Sequence, residues 1–328
     1  MVEFDLTDEQ RLLQKTAHEF AEREMRPVAL EYDKKGTVPW DIIQKAHAIG
    51  LDTAFIPEAY GGGGIDSALT HVIVNEELNW GCAGMATGLI GAGLAYLPII
   101  HMGTEEQKKR FLTRFTGKEA RLGALCLTEP DAGSDVANIS TTAKKDGDEW
   151  VLNGVKRFIT NGGIADIHVV FATLDKSRAH FGIRAFVVEH GTPGLKAGKV
   201  EDKMGVRASH TAEVILDDCR IREDNLLGSD EGTAFYGAMK TLESSRPLVA
   251  SGAVGIARAA YEYALDYSRK RKAFGTPIAK KQAIAFMLAD MKTKIDAARL
   301  LTWRAAWMLD HGEPMNKEAS IAKLFAAD

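Results

Sequence analysis

Apolar residues recur at helical spacing through the first third of the chain, with polar residues on the intervening face. Leu12, Leu13, Ala17, Phe20, Ala21 and Met25 form one such stripe. It opens on Thr7-Asp-Glu-Gln10, a capping box: the threonine hydroxyl accepts from the third helical N–H, and the glutamine reaches back to the cap. Pro27 interrupts the stripe. A second helix is predicted from about Trp40 to Gly50, with Ile42, Ile43 and Ala46 on one face. Thr104-Glu-Glu-Gln107 repeats the capping box and predicts a helix toward Phe115. The longest apolar stretch, Gly84 to Met102, is rich in Gly and Ala and contains Pro98. It reads as buried helix rather than a membrane span.

The period changes near Arg121. Leu122–Thr128, Ile167–Thr173, Ile183–Val188 and Ala212–Leu216 are short apolar runs bounded by turn residues and predict strands. The run from Trp150 to Thr160 reads as two strands joined at Asn153-Gly154, a dipeptide suited to a type I′ hairpin turn. Helical spacing returns after the loop Gly228–Gly232. It predicts long helices over Ala234–Lys270 and Ile278–Leu309, broken by His311-Gly-Glu-Pro314, and a third from Asn316 still running at Asp328. The fold class expected is α+β multidomain. An N-terminal helical domain (1–120) is followed by a central antiparallel β-sandwich or barrel (121–229). A C-terminal helix bundle (230–328) closes the chain, and it reads as incomplete because the chain stops inside a helical pattern.

Composition narrows the function. The 328 residues carry 41 Lys+Arg against 45 Asp+Glu, a formal charge of −4, so no global basic field for nucleic acid exists. Three scattered cysteines give no disulfide framework and favour a reducing compartment. The opening MVEFDLTDEQ lacks the apolar core of a signal peptide. No histidine pair or histidine–cysteine set has metal-ligand spacing, so no metal centre is expected. Gly91-Ala-Gly-Leu-Ala-Tyr96 imitates the start of a dinucleotide fingerprint, but Tyr96 stands where the third glycine belongs and no βαβ unit surrounds it; close helix packing is the better reading.

Four segments carry candidate chemistry. Leu125-Cys-Leu-Thr-Glu-Pro-Asp-Ala-Gly-Ser-Asp135 is a strand running into a loop with two hydroxyls and free N–H groups; it is equally an ordinary turn. In Phe158-Ile-Thr160, strand alternation puts the aromatic and the hydroxyl on one face, suited to a flat heterocycle. Plain packing is the more ordinary outcome of that pattern. Arg269-Lys-Arg-Lys272 ends a helix, as a solvated cap or a diphosphate anchor. Glu243 and Arg246 stand three apart on a helix, where a surface ion pair is the usual result.

Taken in order, the chain resembles the acyl-CoA dehydrogenase family. The strings that carry the likeness are FDLTDEQ, PEAYGG, LTEPDAGSD, FITNGG, DKMGVRASHT, SRPLVASGAVGIA, RKAFG and KQAIAFMLADM, and the texture of SRPLVASGAVGIARAA is nearest to medium-chain members. The resemblance implies FAD-dependent conversion of a saturated, medium-length acyl-CoA to the trans-2-enoyl-CoA in fatty-acid β-oxidation, with electrons passed to an electron-transfer flavoprotein. It implies that Leu125, Leu127, Thr128, Gly133, Ser134, Phe158, Ile159 and Thr160 contact FAD. Arg271, Phe274 and Gln282 would reach the FAD of a neighbouring subunit in a homotetramer built as a dimer of dimers. Ser134, Glu243 and Arg246 would meet the acyl-CoA, and Met85–Tyr96 would floor the acyl pocket. Some members carry the catalytic base at the position of Ser245, which cannot serve; the resemblance then places a base Glu beyond Asp328, so that no catalytic base is visible. A catalytically inactive flavin- or CoA-binding relative and an acyl-CoA oxidase share the same fold. The implied location is the bacterial cytoplasm or, in a eukaryote, the mitochondrial matrix after removal of a transit peptide.

Overall fold

The computed structural model describes residues 5–228 and 233–328. Most of the predicted loop Gly228–Gly232, and the first four residues of the chain, lie outside the described residues. The helices are α1 (Asp8–Phe20), α2 (Ala29–Lys35), α3 (Trp40–Ala48), α4 (Ala68–Gly81), α5 (Ala83–Ile90), α6 (Gly93–Met102), α7 (Glu105–Leu112), α8 (Thr233–Lys270), α9 (Gln282–Asp310) and α10 (Asn316–Ala327). Both predicted capping boxes form, at Thr7 on α1 and Thr104 on α7. Pro27 follows a π-helical turn, Ala21–Met25, that ends the first stripe. The apolar stretch Ala83–Met102 is long enough to cross a membrane, yet it is interrupted at Gly91-Ala92 and most of it is buried.

The β region holds β1 (Gly123–Cys126), β2 (Thr142–Asp146), β3 (Glu149–Thr160), β4 (Ile167–Thr173), β5 (Ile183–Glu189), β6 (Leu195–Val200), β7 (Thr211–Arg222) and β8 (Leu226–Leu227). Their order is β6-β7-β3-β2-β4-β5-β8, with β1 paired to β4. The antiparallel expectation holds for most of these pairs, but β1 runs parallel to β4, and β2 meets β4 in parallel at Thr142 and Thr173. Contacts divide the chain into two compact units. One comprises the chain up to Leu30, Asp66–Ala86 and Glu243–Asp328; the other comprises Glu31–Ile65 and Thr87–Leu242.

The second unit contains the sheet. Its core gathers Ala95, Ile99 and Met102 of α6, Phe111 of α7, and Val169, Phe171, Ala185 and Val187 of β4, which is buried throughout, and β5, which is buried up to Glu189. One local expectation fails here. Asn153-Gly154 is no hairpin turn: β3 runs straight through it, with a register shift against β7 between Leu152 and Gly154. The glycine is needed because Thr141 comes so close that an added Cβ would stand 2.4 Å from its hydroxyl oxygen. Asn153 spends its amide on Asp218 of β7, in two hydrogen bonds of 2.8 and 3.0 Å.

In the first unit, α1, α9 and α8 from Glu243 onward supply the partners of two acids on α4. Glu76 and Glu77 sit buried on α4. Arg299 of α9 grips Glu76 with two nitrogens, at 2.8 and 3.0 Å. Arg258 of α8 donates to both acids, and Gln14 and His18 of α1 complete the shell around Glu77. Burial pushes the Glu77 carboxyl up, but Arg258 and His18 more than offset it and hold the group below its ordinary value. Asp310 at the end of α9 caps the start of α4, accepting from the N–H groups of Ala68 and Leu69 at 2.5 and 3.1 Å.

Candidate functional site

β3 carries the centre of the site in the sheet-bearing unit. Between Lys156 and Ile159 its register against β7 slips, and Phe158 at this bulge has φ +56°. That conformation is rare for a bulky residue. The ring is not packed: Phe158 is 60% exposed, which overturns the plain packing reading of the pattern. Strict alternation fails too, yet Ile159 turns inward and leaves Phe158 exposed and Thr160 half-buried on either side of it. Arg157 lies over the Phe158 ring at 5.6 Å and donates to Glu213 at 3.1 Å.

The Leu125–Asp135 segment is fastened to this strand. The Arg157 N–H donates to the Thr128 carbonyl at 2.8 Å. Leu127 and Ile159 are buried, and Leu125 packs half-buried against the core. Gly133 and Ser134 are exposed beyond the tight turn in which Glu129 pairs with Ala132. Just past the same end of β3, Asn161 has φ +59°; its N–H donates to the His210 carbonyl at 2.9 Å and its amide to the Gly123 carbonyl at 3.2 Å. Gly91 leaves room for Thr160: a Cβ there would stand 3.1 Å from the threonine methyl carbon. Thr128, Phe158 and Thr160 therefore come from β3 and the loop bonded to it.

A buried ion pair lies under this surface. Lys156 donates to Glu129 at 2.7 Å and to the Leu127 carbonyl at 3.1 Å. Burial pulls the Lys156 ammonium below its ordinary value, with Glu129 resisting; burial raises Glu129, but Lys156 more than offsets it and leaves the carboxyl low. Sequence reasoning missed both residues. The available signal was a lysine in step with the apolar positions Trp150 and Leu152 of the same strand.

The other unit carries Glu243, Arg246, Arg271, Phe274 and Gln282, while the predicted pocket floor Met85–Tyr96 falls across the boundary at Ala86 and Thr87. α8 ends at Lys270, and Lys272–Ala273 pairs antiparallel with Thr276–Pro277. The two residues between, Phe274 and Gly275, have φ +53° and +76°. This, and not Asn153-Gly154, is a two-residue turn with positive φ at both centres. Phe274 is 96% exposed, with the Lys281 ammonium 5.5 Å from its ring centre. Arg271 and Gln282 are exposed, and Arg271 has no ion-pair partner among the described residues. Arg269 and Lys270 lie exposed in the last turn of α8, as the solvated-cap expectation has it, and Lys270 also pairs with Asp266 at 2.7 Å. Glu243 and Arg246 do not pair with each other. Asn316 separates them, donating to Glu243 at 2.8 Å and accepting from Arg246 at 2.7 Å. An amide able to do both is why the expected ion pair does not close.

A strained exposed aromatic beside two hydroxyls, with a loop of free polar groups, suits a flat heterocyclic cofactor, and the residues present fit a flavin. The N-terminal, middle and C-terminal domain families of acyl-CoA dehydrogenase match residues 7–119, 124–219 and 232–328. The mitochondrial short-chain specific acyl-CoA dehydrogenase of Rattus norvegicus is 44% identical over 327 residues, 99% of this chain and 78% of that protein. The solved butyryl-CoA dehydrogenase of Megasphaera elsdenii is 44% identical with a TM-score of 0.95, covering 99% of this chain and 85% of that one. A chain in a structure of the electron transferring flavoprotein of Acidaminococcus fermentans is 43% identical, with a TM-score of 0.95 and coverage of 99% and 85%. Fold, site and likeness define the class, an FAD-dependent flavoprotein oxidoreductase. Within that class, the chain belongs to the acyl-CoA dehydrogenase family.

Proposed function

We propose that the protein dehydrogenates a short, straight acyl-CoA between Cα and Cβ, giving the trans-2-enoyl-CoA and passing the electrons to an electron-transfer flavoprotein. The observation that carries this is Phe158, held exposed at positive φ on the β3 bulge beside Thr160, with the Thr128 loop bonded to the same strand. FAD, when bound, supplies the acceptor for the β-hydrogen of the substrate. The Phe158 ring offers a face for the flavin to lie against, and the Thr128 and Thr160 hydroxyls offer hydrogen bonds at its edge. Ser134 stands in the exposed loop beyond them, open to both FAD and CoA.

Arg271, Phe274 and Gln282 lie exposed just before, on and after the short hairpin, where they are available to the FAD of a neighbouring subunit. That division of labour fits a homotetramer assembled as a dimer of dimers. Glu243 and Arg246, set by Asn316, face the acyl-CoA on this reading. Ser245 has no carboxylate, so removal of the α-proton is not assigned to it. The domains are taken as 1–120, 121–229 and 230–328.

The medium-chain expectation gives way to a short chain. Its ground was the texture of one segment, whereas the rat and Megasphaera relatives at 44% identity are named for short-chain substrates. Steady-state oxidation of butyryl-, octanoyl- and palmitoyl-CoA by the complete gene product, with a dye as acceptor, tests the choice. We expect kcat/KM for butyryl-CoA to exceed that for palmitoyl-CoA by at least about tenfold, since each misfitted methylene costs ~1–3 kcal/mol. A maximum at octanoyl- or palmitoyl-CoA contradicts it.

A further inference from the structure

Lys156 is fully buried inside β3, two residues before Phe158. A lysine in that place is costly, because an ammonium loses its water and must be matched by a partner. The match is Glu129, which also accepts from the N–H groups of Ser140 at 2.5 Å and Thr141 at 3.0 Å. Buried ion pairs add little net stability over apolar side chains of similar volume. Stability is therefore a weak reason for this one. Its bonds point to another role. Lys156 holds the Leu127 carbonyl at the start of the loop, while Glu129 holds the chain where the loop returns at Ser140 and Thr141. Between those two anchors lie Thr128, Gly133 and Ser134.

We propose that the buried Lys156–Glu129 pair is a positioning device that fixes the loop bearing Thr128 and Ser134 against the strand bearing Phe158 and Thr160, and thereby sets the affinity and visible spectrum of bound FAD. The proposal rests on the flavin reading above. Neither residue touches the reacting atoms; both act through the main chain at Leu127, Ser140 and Thr141. An apolar pair of the same volume would fill the space but would leave the loop without its tether at both ends.

The test uses the complete gene product and the double variant K156M/E129Q, which removes both charges, the Lys156 bond to the Leu127 carbonyl and one of the two acceptors that hold Ser140 and Thr141. K156M alone leaves a lone buried carboxylate and risks the fold. In the double variant the melting temperature stays within a few degrees of wild type. FAD dissociates about tenfold or more readily, a loss of ~1.4 kcal/mol, and the flavin absorbance maxima shift. In the FAD-free proteins, amide exchange over 127–141 is faster in the variant than in wild type, while the remaining strands exchange alike. Wild-type FAD affinity, spectrum and loop exchange in the double variant would overturn the proposal. So would a sheet-wide rise in exchange with a much lower melting temperature, since the pair would then serve stability alone. Failure of the wild-type protein to take up FAD would instead contradict the flavin reading, and the exchange comparison would still decide the role of the pair.

Discussion

Phe158 and Phe274 share an uncommon property: each is a bulky, exposed residue at positive φ. Left-handed backbone costs a non-glycine residue roughly 1–2 kcal/mol, and neither ring recovers that cost by burial in the chain. Both positions therefore favour function over local stability. Phe274→Asn should keep or slightly raise the melting temperature, because asparagine tolerates this conformation, while weakening FAD retention by the assembled protein. Calorimetry and flavin release on dilution read the two effects separately, and a lower melting temperature with unchanged FAD would count against the account. The sequence shows that Phe158 and Thr160 flank one residue, and strand alternation gives their shared side. It does not show the bulge, because a register slip depends on β7 and the bonds that β7 makes. Glu243, Arg246 and Asn316 show the same limit: the i, i+3 spacing is legible, but the amide that comes between the charges lies seventy residues further along.

Elements fixed by local chemistry are the ones most readable. The caps at Thr7 and Thr104 close as their residue types require, and α3 starts at Trp40 as its apolar face suggests. The dipeptide Asn153-Gly154 misleads because its turn preference is overridden by pairing along the whole of β3. Gly154→Ala should cost about 1–3 kcal/mol through the forced approach to Thr141, read as a drop in the urea midpoint. The acids on α4 were hidden for a similar reason, since nothing in Glu76-Glu77 says which arginines will meet them. Arg258→Met leaves two buried carboxylates short of a partner, and a loss of ~3–5 kcal/mol is expected. The Glu77 carboxyl is held low in the folded state. Its stabilising contribution is therefore present above the unfolded carboxylate value near pH ~4 and disappears as pH falls through the lower folded value. Glu77→Gln should flatten the acid limb of the stability–pH curve; an acid limb as steep as in wild type would remove Glu77 from its causes.

At the scale of the whole molecule, the succession helical, β, helical was legible because period-3.6 and period-2 patterns occupy separate stretches. The two compact units were not, because each is assembled from segments far apart in the chain. Nor was the join of β1 to β4, since parallel pairing leaves no turn signal between neighbours. What the assembled sheet provides is one strand, β3, that carries a strained aromatic and is bonded to a loop with hydroxyls, and this makes flavin chemistry the central claim. The most direct measurement is anaerobic addition of butyryl-CoA to the complete gene product, purified with FAD, while the visible flavin band is followed. The account predicts that the band bleaches on adding stoichiometric thioester and returns on adding oxidised electron-transfer flavoprotein. A purified protein that holds no flavin, or a flavin band that butyryl-CoA leaves untouched, would contradict it.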